Sequence, residues 1–250
     1  MPILFVVIPV FEEPHTLEPC VRRALEAPMP PGWRARLLLI DDASSAATAT
    51  VADQLATELA SGGRLELLRH QANRGKGAAL RTGFRRALEL AHDADAVLTQ
   101  DGDLEYDPAD WRALVEALPP APLAAVIGNR WAQASLPTTW RRLHAGVNRL
   151  LTSCSNMLTG LRLTDMECGF KLLRVPLLRR VLPWLSEDRF GVEPQLVAAL
   201  ARVRAEVREV PVSYDPRDRS RGKKIGPIDG LRAIWVIVAE RARRVPPVQR

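Results

Sequence analysis

Residues 96–108 read AVLTQDGDLEYDP, and this stretch contributes most to the assignment of the fold. Residues 96–99 form a short run typical of a buried strand, and the carboxylates of Asp101, Asp103 and Glu105 follow it directly. At alternate positions of an extended segment, these three side chains lie on one side of the chain. The stretch therefore predicts a buried strand that ends at an acidic rim.

The rest of the sequence alternates strand-like and helix-like segments around this stretch. Short apolar runs occur at 3–10, 37–40, 65–69 and 126–128. The segments that separate the runs at 3–10, 37–40, 65–69 and 96–99 carry apolar residues at helical spacing. A strand followed by a helix, repeated several times, predicts an α/β fold with a mostly parallel sheet that helices cover on both faces. Ligand sites in such sheets lie beyond the carboxyl ends of the strands.

Polar residues follow each of these five strand-like runs. They are Glu12 and Glu13 after the first, Asp41 and Asp42 after the second, residues 73–77 after the third, residues 101–105 after the fourth, and Asn129 with Arg130 after the fifth. Because the ends of parallel strands share one edge, we expect these groups to meet at one rim.

The pattern changes in the second half of the chain, which we interpret as an acceptor region. It contains a basic amphipathic helix at 138–160, a turn at 163–169, a strand at 170–173, a helix at 192–203, a strand at 206–214, a basic loop at 215–226 and a helix at 228–244. The first and last of these helices carry Trp140 and Trp235 beside arginines. Such residues fit either the headgroup layer of a membrane or a protein core.

Composition limits the partners of the chain. Its 250 residues carry a formal net charge of +6 and are 47% hydrophobic, which is enough for one sizeable core. The positive charge favours anionic partners, namely nucleotide diphosphates, anionic lipid headgroups or nucleic acid, and charge alone does not choose among them. Aromatic residues make up 5%, without an RNP-like or helix-turn-helix pattern, so we expect no nucleic-acid partner.

The cysteines and the lengths of the hydrophobic runs predict the cellular location of the chain. The three cysteines, Cys20, Cys154 and Cys168, lie far apart and predict neither a disulfide framework nor a zinc site, which fits a reducing cytosol. No run reaches the roughly 18 to 20 apolar residues that span a bilayer, and 3–10 is too short for a signal peptide. We expect a cytoplasmic chain whose membrane contact, if it has any, is peripheral or made through a partner.

The three carboxylates at 101–105 predict a binding site for a cation. Mg²⁺ or Mn²⁺ prefers oxygen ligands and commonly takes one or two carboxylates together with phosphate oxygens, as at the rim of a nucleotide pocket. The alternative is that the acids cap the helix beginning at Pro108, and for Asp107 we prefer that interpretation.

Two other strand ends carry residues suited to a nucleotide. The stretch NRGKGAALRTG at 73–83 opens a helix whose backbone N–H groups suit an anion, although it lacks the Walker A spacing. The glycines that flank Lys76 have the alternative role of permitting a tight turn. Asp41 and Asp42 suit hydrogen bonds to a uracil or guanine base and its ribose, or a helix cap at Ser44 and Ser45.

Read together, these residues resemble an inverting family of GT-A glycosyltransferases that includes dolichol-phosphate mannose synthase and polyprenyl-phosphate glucosyltransferases. Seven motifs occur in the order of that family. They are VIPVFEE at 7–13, LLIDDAS at 38–44, NRGKGAALRTGF at 73–84, QDGDLEYDP at 100–108, GNRW at 128–131, TDMECGFKLLR at 164–174 and VPVSYDPRDRSRGKKI at 210–225. The resemblance implies one GT-A domain over residues 1–250, with a nucleotide-sugar half at 1–130, an acceptor half at 131–244 and a tail at 245–250.

The resemblance also implies roles for individual residues. Donor-binding residues are Pro9, Glu12, Glu13, Asp41, Asp42, Lys76 and Asp101; metal ligands are Asp101, Asp103 and Glu105; residues at the diphosphate and acceptor phosphate are Arg130, Arg217, Arg219, Ser220 and Lys223. The chain departs from the family at Glu105, where several lipid-phosphate enzymes have Gln. It also reads DDAS for DDGS and MECG for TQCG, and it lacks the membrane helices that follow the catalytic domain in many relatives.

The expected reaction moves a sugar from a UDP- or GDP-sugar to a polyprenyl phosphate, with inversion at the anomeric carbon. Asp103, Arg130 and Arg217 are the expected catalytic groups, acting with Mg²⁺ or Mn²⁺. A phosphate acceptor is largely dianionic at neutral pH and needs no base. If the acceptor is instead a hydroxyl of a polysaccharide or small metabolite, Asp165 or Glu167 is the candidate base.

Overall fold

The computed structural model describes residues 1–59, 62–132, 139–217 and 227–243, with the side chains of 139–144 and 227–231 outside the description. Arg219, Ser220 and Lys223 fall outside the described residues, as does the side chain of Trp140. The strands are β1 (Ile3–Val10), β2 (Arg34–Asp41), β3 (Leu65–Arg69), β4 (Ala96–Thr99), β5 (Ala124–Asn129), β6 (Lys171–Arg174) and β7 (Glu206–Pro211). The helices are α1 (Leu17–Glu26), α2 (Ala46–Leu59), α3 (Lys76–Leu90), α4 (Trp111–Glu116), α5 (Thr139–Thr159), α6 (Val175–Val181), α7 (Val192–Arg202) and α8 (Pro227–Ala242).

The seven strands form one sheet in the order β3-β2-β1-β4-β6-β5-β7. All neighbouring pairs are parallel except the two that involve β6, which runs antiparallel to both β4 and β5. The predicted α/β fold with a mostly parallel sheet is therefore confirmed. The antiparallel β6 follows a turn from the acceptor-side half, which brings residues 164–170 to the same edge as the end of β4.

The centre of the sheet is fully apolar, as the short hydrophobic runs predict. Residues 4–8 of β1 are completely buried, and Leu37 to Ile40 of β2 are at most 1% exposed. Strands covered by helices on both faces need such continuous apolar runs, because neither side of the strand meets water. Helix α3 packs on β1 and β2, which places the N-terminus of α3 next to the carboxyl ends of those strands.

The second half differs from the predicted pattern in two places. Helix α6 follows β6 directly and was not predicted, although Pro176 in its first turn is a typical helix-start residue. Strand β7 ends at Pro211 rather than at Tyr214. Tyr214 instead forms an isolated antiparallel bridge with Tyr106, which ties the chain after β7 to the chain after β4. Among the described helices, none combines the length and apolar character needed to cross a bilayer.

Candidate active site

Arg217 brings together carboxylates from two strand ends. Its guanidinium lies 2.9 Å from Glu13 Oε2 and 2.9 Å from Asp103 Oδ2, and its Nε lies 3.6 Å from Glu105 Oε1. The backbone N–H of Arg217 also donates to Glu105 over 2.9 Å. One cation is thus shared by three carboxylates at the rim after β1 and β4.

The segment that carries these acids is turned, not extended. Leu104 has a left-handed φ of 63°, and Asp103 Oδ1 accepts a hydrogen bond from the Glu105 N–H over 3.1 Å. Because of this turn, Asp103 and Glu105 point to Arg217 while Asp101 pairs with Lys76 at 2.7 Å. The prediction that the three carboxylates lie on one side of an extended segment is therefore wrong.

The pKa of Asp103 is raised to about 7. Burial is the main cause, followed by the carboxylates of Asp101 and Glu105, while Arg217 acts in the opposite direction. A site that holds so much negative charge favours any cation that can enter it. The neighbouring Asp107 has a separate role, because its Oδ1 accepts from the Ala109 N–H over 3.0 Å as a helix cap, as predicted.

A buried chain of alternating charges runs inward from Asp101. Lys76 Nζ lies 2.7 Å from Asp101 Oδ1 and 2.9 Å from Glu193 Oε1, and the other oxygen of Glu193 pairs with Lys171. Lys171 is 1% exposed and also donates to the Cys168 carbonyl over 2.5 Å. Burial opposes the charge of Glu193, but the two lysines lower its pKa below the ordinary value. Lys76 is thus held between two carboxylates.

Sequence reasoning missed Glu193 and Lys171. A signal was present, because each is a charged residue inside an apolar segment, VEPQLVAALA for Glu193 and FKLL for Lys171. Charged residues that are fully buried are nearly always paired, so one of them predicts a partner of opposite sign. The sequence does not say which partner.

The predicted base-binding aspartates are bonded within the protein. Asp41 is fully buried and accepts from the Ser44 N–H over 2.9 Å and from Arg69 Nε over 2.7 Å. Asp42 accepts from the Gly75 N–H over 2.6 Å and lies 2.6 Å from His70 Nδ1. Asp41 thus holds the turn before α2, which begins at Ala46, and Asp42 shapes the loop before α3.

Two further donor-side residues lie at the same edge. Glu12, with a left-handed φ of 50°, accepts from both the backbone N–H and the hydroxyl of Ser45, at 2.8 and 2.6 Å. Pro9 is half-buried within β1, opposite Ile40 of β2. The rim thus collects residues from β1, β2 and β4, as the parallel topology predicts, and their contact with a nucleotide stays a prediction.

The N-terminus of α3 is covered by residues 187–189. The Ala78 N–H donates to the Asp188 carbonyl over 3.1 Å, and Gly75 has a φ of +96° that favours glycine. A Cβ on Gly77 would lie 2.1 Å from the Glu187 carbonyl oxygen. These contacts favour the tight-turn alternative for the two glycines, because a Cβ at either position would meet backbone atoms of residues 187–189.

Gly77→Ala is expected to lower stability, because its Cβ meets backbone that cannot rotate away. Overpacking of this kind costs about 1–3 kcal/mol. Gly146→Ala is the matched control, since a Cβ there meets nothing within 4 Å and alanine favours a helix interior. Urea unfolding of both variants checks the prediction, and an equal or higher midpoint for Gly77→Ala than for Gly146→Ala contradicts it.

Arg130 and Asp165 form a closed ion pair. Arg130 Nε and Nη2 each lie 2.7 Å from the carboxylate of Asp165, which is fully buried, and Asn148 donates to the same carboxylate over 2.9 Å. Burial opposes the charge of Asp165, but Arg130 lowers its pKa below the ordinary value. The guanidinium also lies 5.1 Å from the Tyr214 ring centroid.

This pairing changes two expectations. Asp165 is inaccessible and weakly basic, so the contacts argue against its role as a general base. Arg130 is 7% exposed and donates to Asp165 and Asn148, so it holds residues 164–165 against β5. Its contact with a phosphate stays a prediction. Both were assigned from motif position, and motif position does not show that the two pair with each other.

Glu167 differs from Asp165. Burial, and next the charge of Glu193, raise its pKa to about 7, and its Oε1 has no hydrogen-bond partner in the part of the chain that the structure describes. A carboxylate with a pKa near neutrality is suited to take a proton. Cys168 beside it is fully buried and packs near Gly128, as predicted for a packing residue.

The rim offers oxygen ligands suited to a divalent cation. Among the described residues, no three His, Cys, Asp or Glu side chains converge as a complete metal site. Mg²⁺ typically needs only one or two carboxylates, because water and phosphate oxygens complete its shell. The crowded acids around Arg217, with the raised pKa of Asp103, fit such an ion.

Fold and rim together define a glycosyltransferase of the GT-A type. The chain belongs to glycosyl transferase family 2, whose family model matches residues 5–182. It is similar to the undecaprenyl-phosphate mannosyltransferase of Micrococcus luteus, with 28% identity over 90% of this chain and 88% of the relative. It is also similar to the polyprenol monophosphomannose synthase of Mycolicibacterium smegmatis, with 25% identity over 94% and 85%.

Solved structures share the fold. Glucosyl-3-phosphoglycerate synthase from Mycobacterium tuberculosis, in complex with Mn²⁺, UDP-glucose and phosphoglyceric acid, has a TM-score of 0.63 at 19% identity, covering 99% of this chain and 81% of that one. At this identity the likeness supports the fold alone. The predicted family and fold are confirmed.

Proposed function

We propose that this glycosyltransferase moves a sugar from a UDP- or GDP-sugar to a polyprenyl phosphate, with inversion at the anomeric carbon. The proposal depends on the rim where Arg217 joins Glu13 with Asp103 and Glu105, in a chain whose relatives are named for sugar transfer to polyprenyl phosphates.

The reaction is a single in-line displacement. An oxygen of the acceptor phosphate forms a bond to the anomeric carbon, the bond to the nucleotide diphosphate breaks, and its electron pair leaves with the diphosphate. No proton has to be removed from a phosphate dianion. Mg²⁺ or Mn²⁺, held by Asp101, Asp103 and Glu105, would supply positive charge at the departing diphosphate.

The basic residues of the chain hold the two phosphate groups in this proposal. Arg217 is the described member of a basic loop whose further members, Arg219, Ser220 and Lys223, are proposed to contact the diphosphate and the acceptor phosphate. Lys76, fixed between Asp101 and Glu193, holds the Asp101 carboxylate in place. Residues 1–130 form the donor half and 131–244 the acceptor half of one cytoplasmic domain, with 245–250 as a tail.

A hydroxyl acceptor is the second candidate. It is favoured by one observation on Glu167. This half-buried residue has a pKa raised to about 7, and one of its oxygens has no hydrogen-bond partner among the described residues. Such a carboxylate fits a general base for a sugar hydroxyl, and a phosphate acceptor does not need it.

Product analysis separates the two candidates. The purified chain is incubated with Mn²⁺, radiolabelled UDP- or GDP-sugars, and either undecaprenyl phosphate or a panel of sugar hydroxyl acceptors. We expect label in the lipid phosphate, and the same rate from Glu167→Gln. Transfer to a hydroxyl without transfer to lipid phosphate, abolished in Glu167→Gln, would establish the second candidate instead.

A further inference from the structure

Glu193 is a buried carboxylate outside the predicted motifs, and one lysine connects it to a predicted metal ligand. It is the second residue of α7, in the first turn of the helix. The partial positive charge at a helix N-terminus favours a carboxylate in that position. One oxygen of Glu193 contacts Lys76 and the other contacts Lys171, and Lys76 in turn contacts Asp101. Helix α7 thus reaches the rim through a charged side chain.

The ammonium group of Lys76 is divided between two carboxylates. Its Nζ lies 2.7 Å from Oδ1 and 3.0 Å from Oδ2 of Asp101, so it faces both oxygens, and it lies 2.9 Å from Oε1 of Glu193. Burial opposes the charge of Lys76, but the two carboxylates raise its pKa above the ordinary value. Lys76 is therefore a cation at neutral pH, and it offsets part of the negative charge of Asp101.

Asp101 has little room to move away from this lysine. A Cβ on Gly169 would lie 2.5 Å from Asp101 Oδ2, so the carboxylate packs directly against the backbone of that residue. This backbone is itself held, because the Gly169 N–H donates to the Tyr106 hydroxyl over 2.8 Å. The distance between Lys76 and Asp101 is therefore set by the lysine, and the position of the lysine depends on Glu193.

Stability alone does not account for a buried carboxylate between two lysines. The cost of taking two charges out of water often exceeds the gain from their attraction, and apolar residues of the same volume then stabilise the fold equally well. Glu193 and Lys171 are both buried, yet both carry charge close to the rim. A cation at the rim would respond strongly to the position of such charges, because their interaction increases where water is excluded.

We propose that Glu193 is a positioning residue for the metal at the rim. By binding the Lys76 ammonium, it limits the hold of Lys76 on Asp101, so that Asp101 can also bind a divalent cation. A carboxylate has about four lone-pair sites, which is enough for a lysine and a metal together when the lysine is shared. Without Glu193, the ammonium turns fully to Asp101 and competes with the metal. This role rests on the proposed function, which assigns Asp101 to the metal.

Mn²⁺ titration followed by electron paramagnetic resonance tests the role of Glu193 without donor, acceptor or turnover. Glu193→Gln is expected to bind Mn²⁺ about tenfold more weakly than the wild type, because Lys76 then pairs with Asp101 alone. Glu193→Asp keeps the charge and should recover part of the affinity. Glu240→Gln is the matched control. Glu240 is a buried carboxylate paired with Arg202 at the opposite end of α7, so its loss should lower stability and leave Mn²⁺ affinity unchanged.

A double-mutant cycle shows whether Glu193 acts through Lys76. Lys76→Met removes the shared cation and is expected to bind Mn²⁺ at least as tightly as the wild type. In that background, Glu193→Gln should change the affinity by less than about threefold. Lys76→Met is informative by itself if Glu193→Gln does not fold, because Lys76 is partly exposed at the rim and tolerates substitution better. Circular dichroism melting of each variant shows that it is folded.

Three results would overturn this role of Glu193. They are wild-type Mn²⁺ affinity in Glu193→Gln, an equal loss of affinity from Glu193→Gln with and without Lys76, and weaker Mn²⁺ binding by Lys76→Met than by the wild type. A purely structural Glu193 would give the first or the second of them, together with a lowered melting temperature.

Failure of the proposed function gives a different pattern. Absence of sugar transfer to every acceptor, with the Mn²⁺ titrations as expected, would refute the proposed function and leave the role of Glu193 standing. Sugar transfer to lipid phosphate by a wild type whose Mn²⁺ affinity equals that of Glu193→Gln would refute the role of Glu193 alone.

Discussion

Asp103→Asn is expected to lower sugar transfer by about 10²–10³-fold and to weaken Mn²⁺ binding in the absence of substrate. Asparagine keeps the size of the side chain and removes one negative charge from the group that Arg217 now shares. The amide cannot replace the charge that a divalent cation requires. Turnover with saturating donor, and Mn²⁺ binding followed by electron paramagnetic resonance, measure the two effects.

The same loop supplies the control. Asp107→Asn keeps a capping side chain four residues away, so it should retain turnover and Mn²⁺ affinity. Normal Mn²⁺ binding by Asp103→Asn, or an equal loss in Asp107→Asn, would show that the rim does not hold the metal through Asp103.

Mn²⁺ binding should also depend on pH. Burial and the neighbouring carboxylates raise the pKa of Asp103 to about 7, so protons compete with the metal near neutrality. The affinity of the wild type is expected to fall as the pH is lowered through about 7. Asp103→Asn should show a flatter profile over that range, because the competing carboxyl is gone; an unchanged profile would assign the titration to another group.

The fold could be read from the sequence because its signals are local. The runs at 3–10 and 37–40 are too apolar for any but buried strands, and Asp107 precedes Pro108 in a helix-start pattern that needs no tertiary information. The meeting of Glu13 with Asp103 also followed, since parallel strands end at one edge. In each case the deciding interaction lies within a few residues or is fixed by strand direction.

The details of the site could not be read in the same way. Leu104 adopts a left-handed conformation that few non-glycine residues favour, and this turn separates Asp101 from the other two acids. Arg130 and Asp165 are each compatible with a phosphate or a proton, and only their 2.7 Å contact shows that they neutralise each other. Pairings across 35 residues of chain depend on packing, which motif spacing does not encode.

Lys171→Met is expected to lower the free energy of unfolding by about 3–5 kcal/mol. Methionine fills a similar volume, so the loss is not mainly one of packing. It leaves Glu193, which is 5% exposed, with Lys76 as its remaining cation and the Cys168 carbonyl without its donor. A buried carboxylate that loses a partner costs far more than an exposed one, because water cannot replace the missing charge. Urea unfolding measures the change.

Removing both charges tests this reason against simple disruption. Lys171→Met combined with Glu193→Leu also removes the buried carboxylate that has lost Lys171. Lys76 still keeps its 2.7 Å contact with Asp101. The double variant should therefore be more stable than Lys171→Met alone, which simple additivity of two damaging substitutions does not allow. Arg112→Gln, which breaks an exposed ion pair, should change the free energy of unfolding by less than about 1 kcal/mol. A double variant less stable than Lys171→Met would mean that packing around β6, and not the buried charge, holds this part of the sheet.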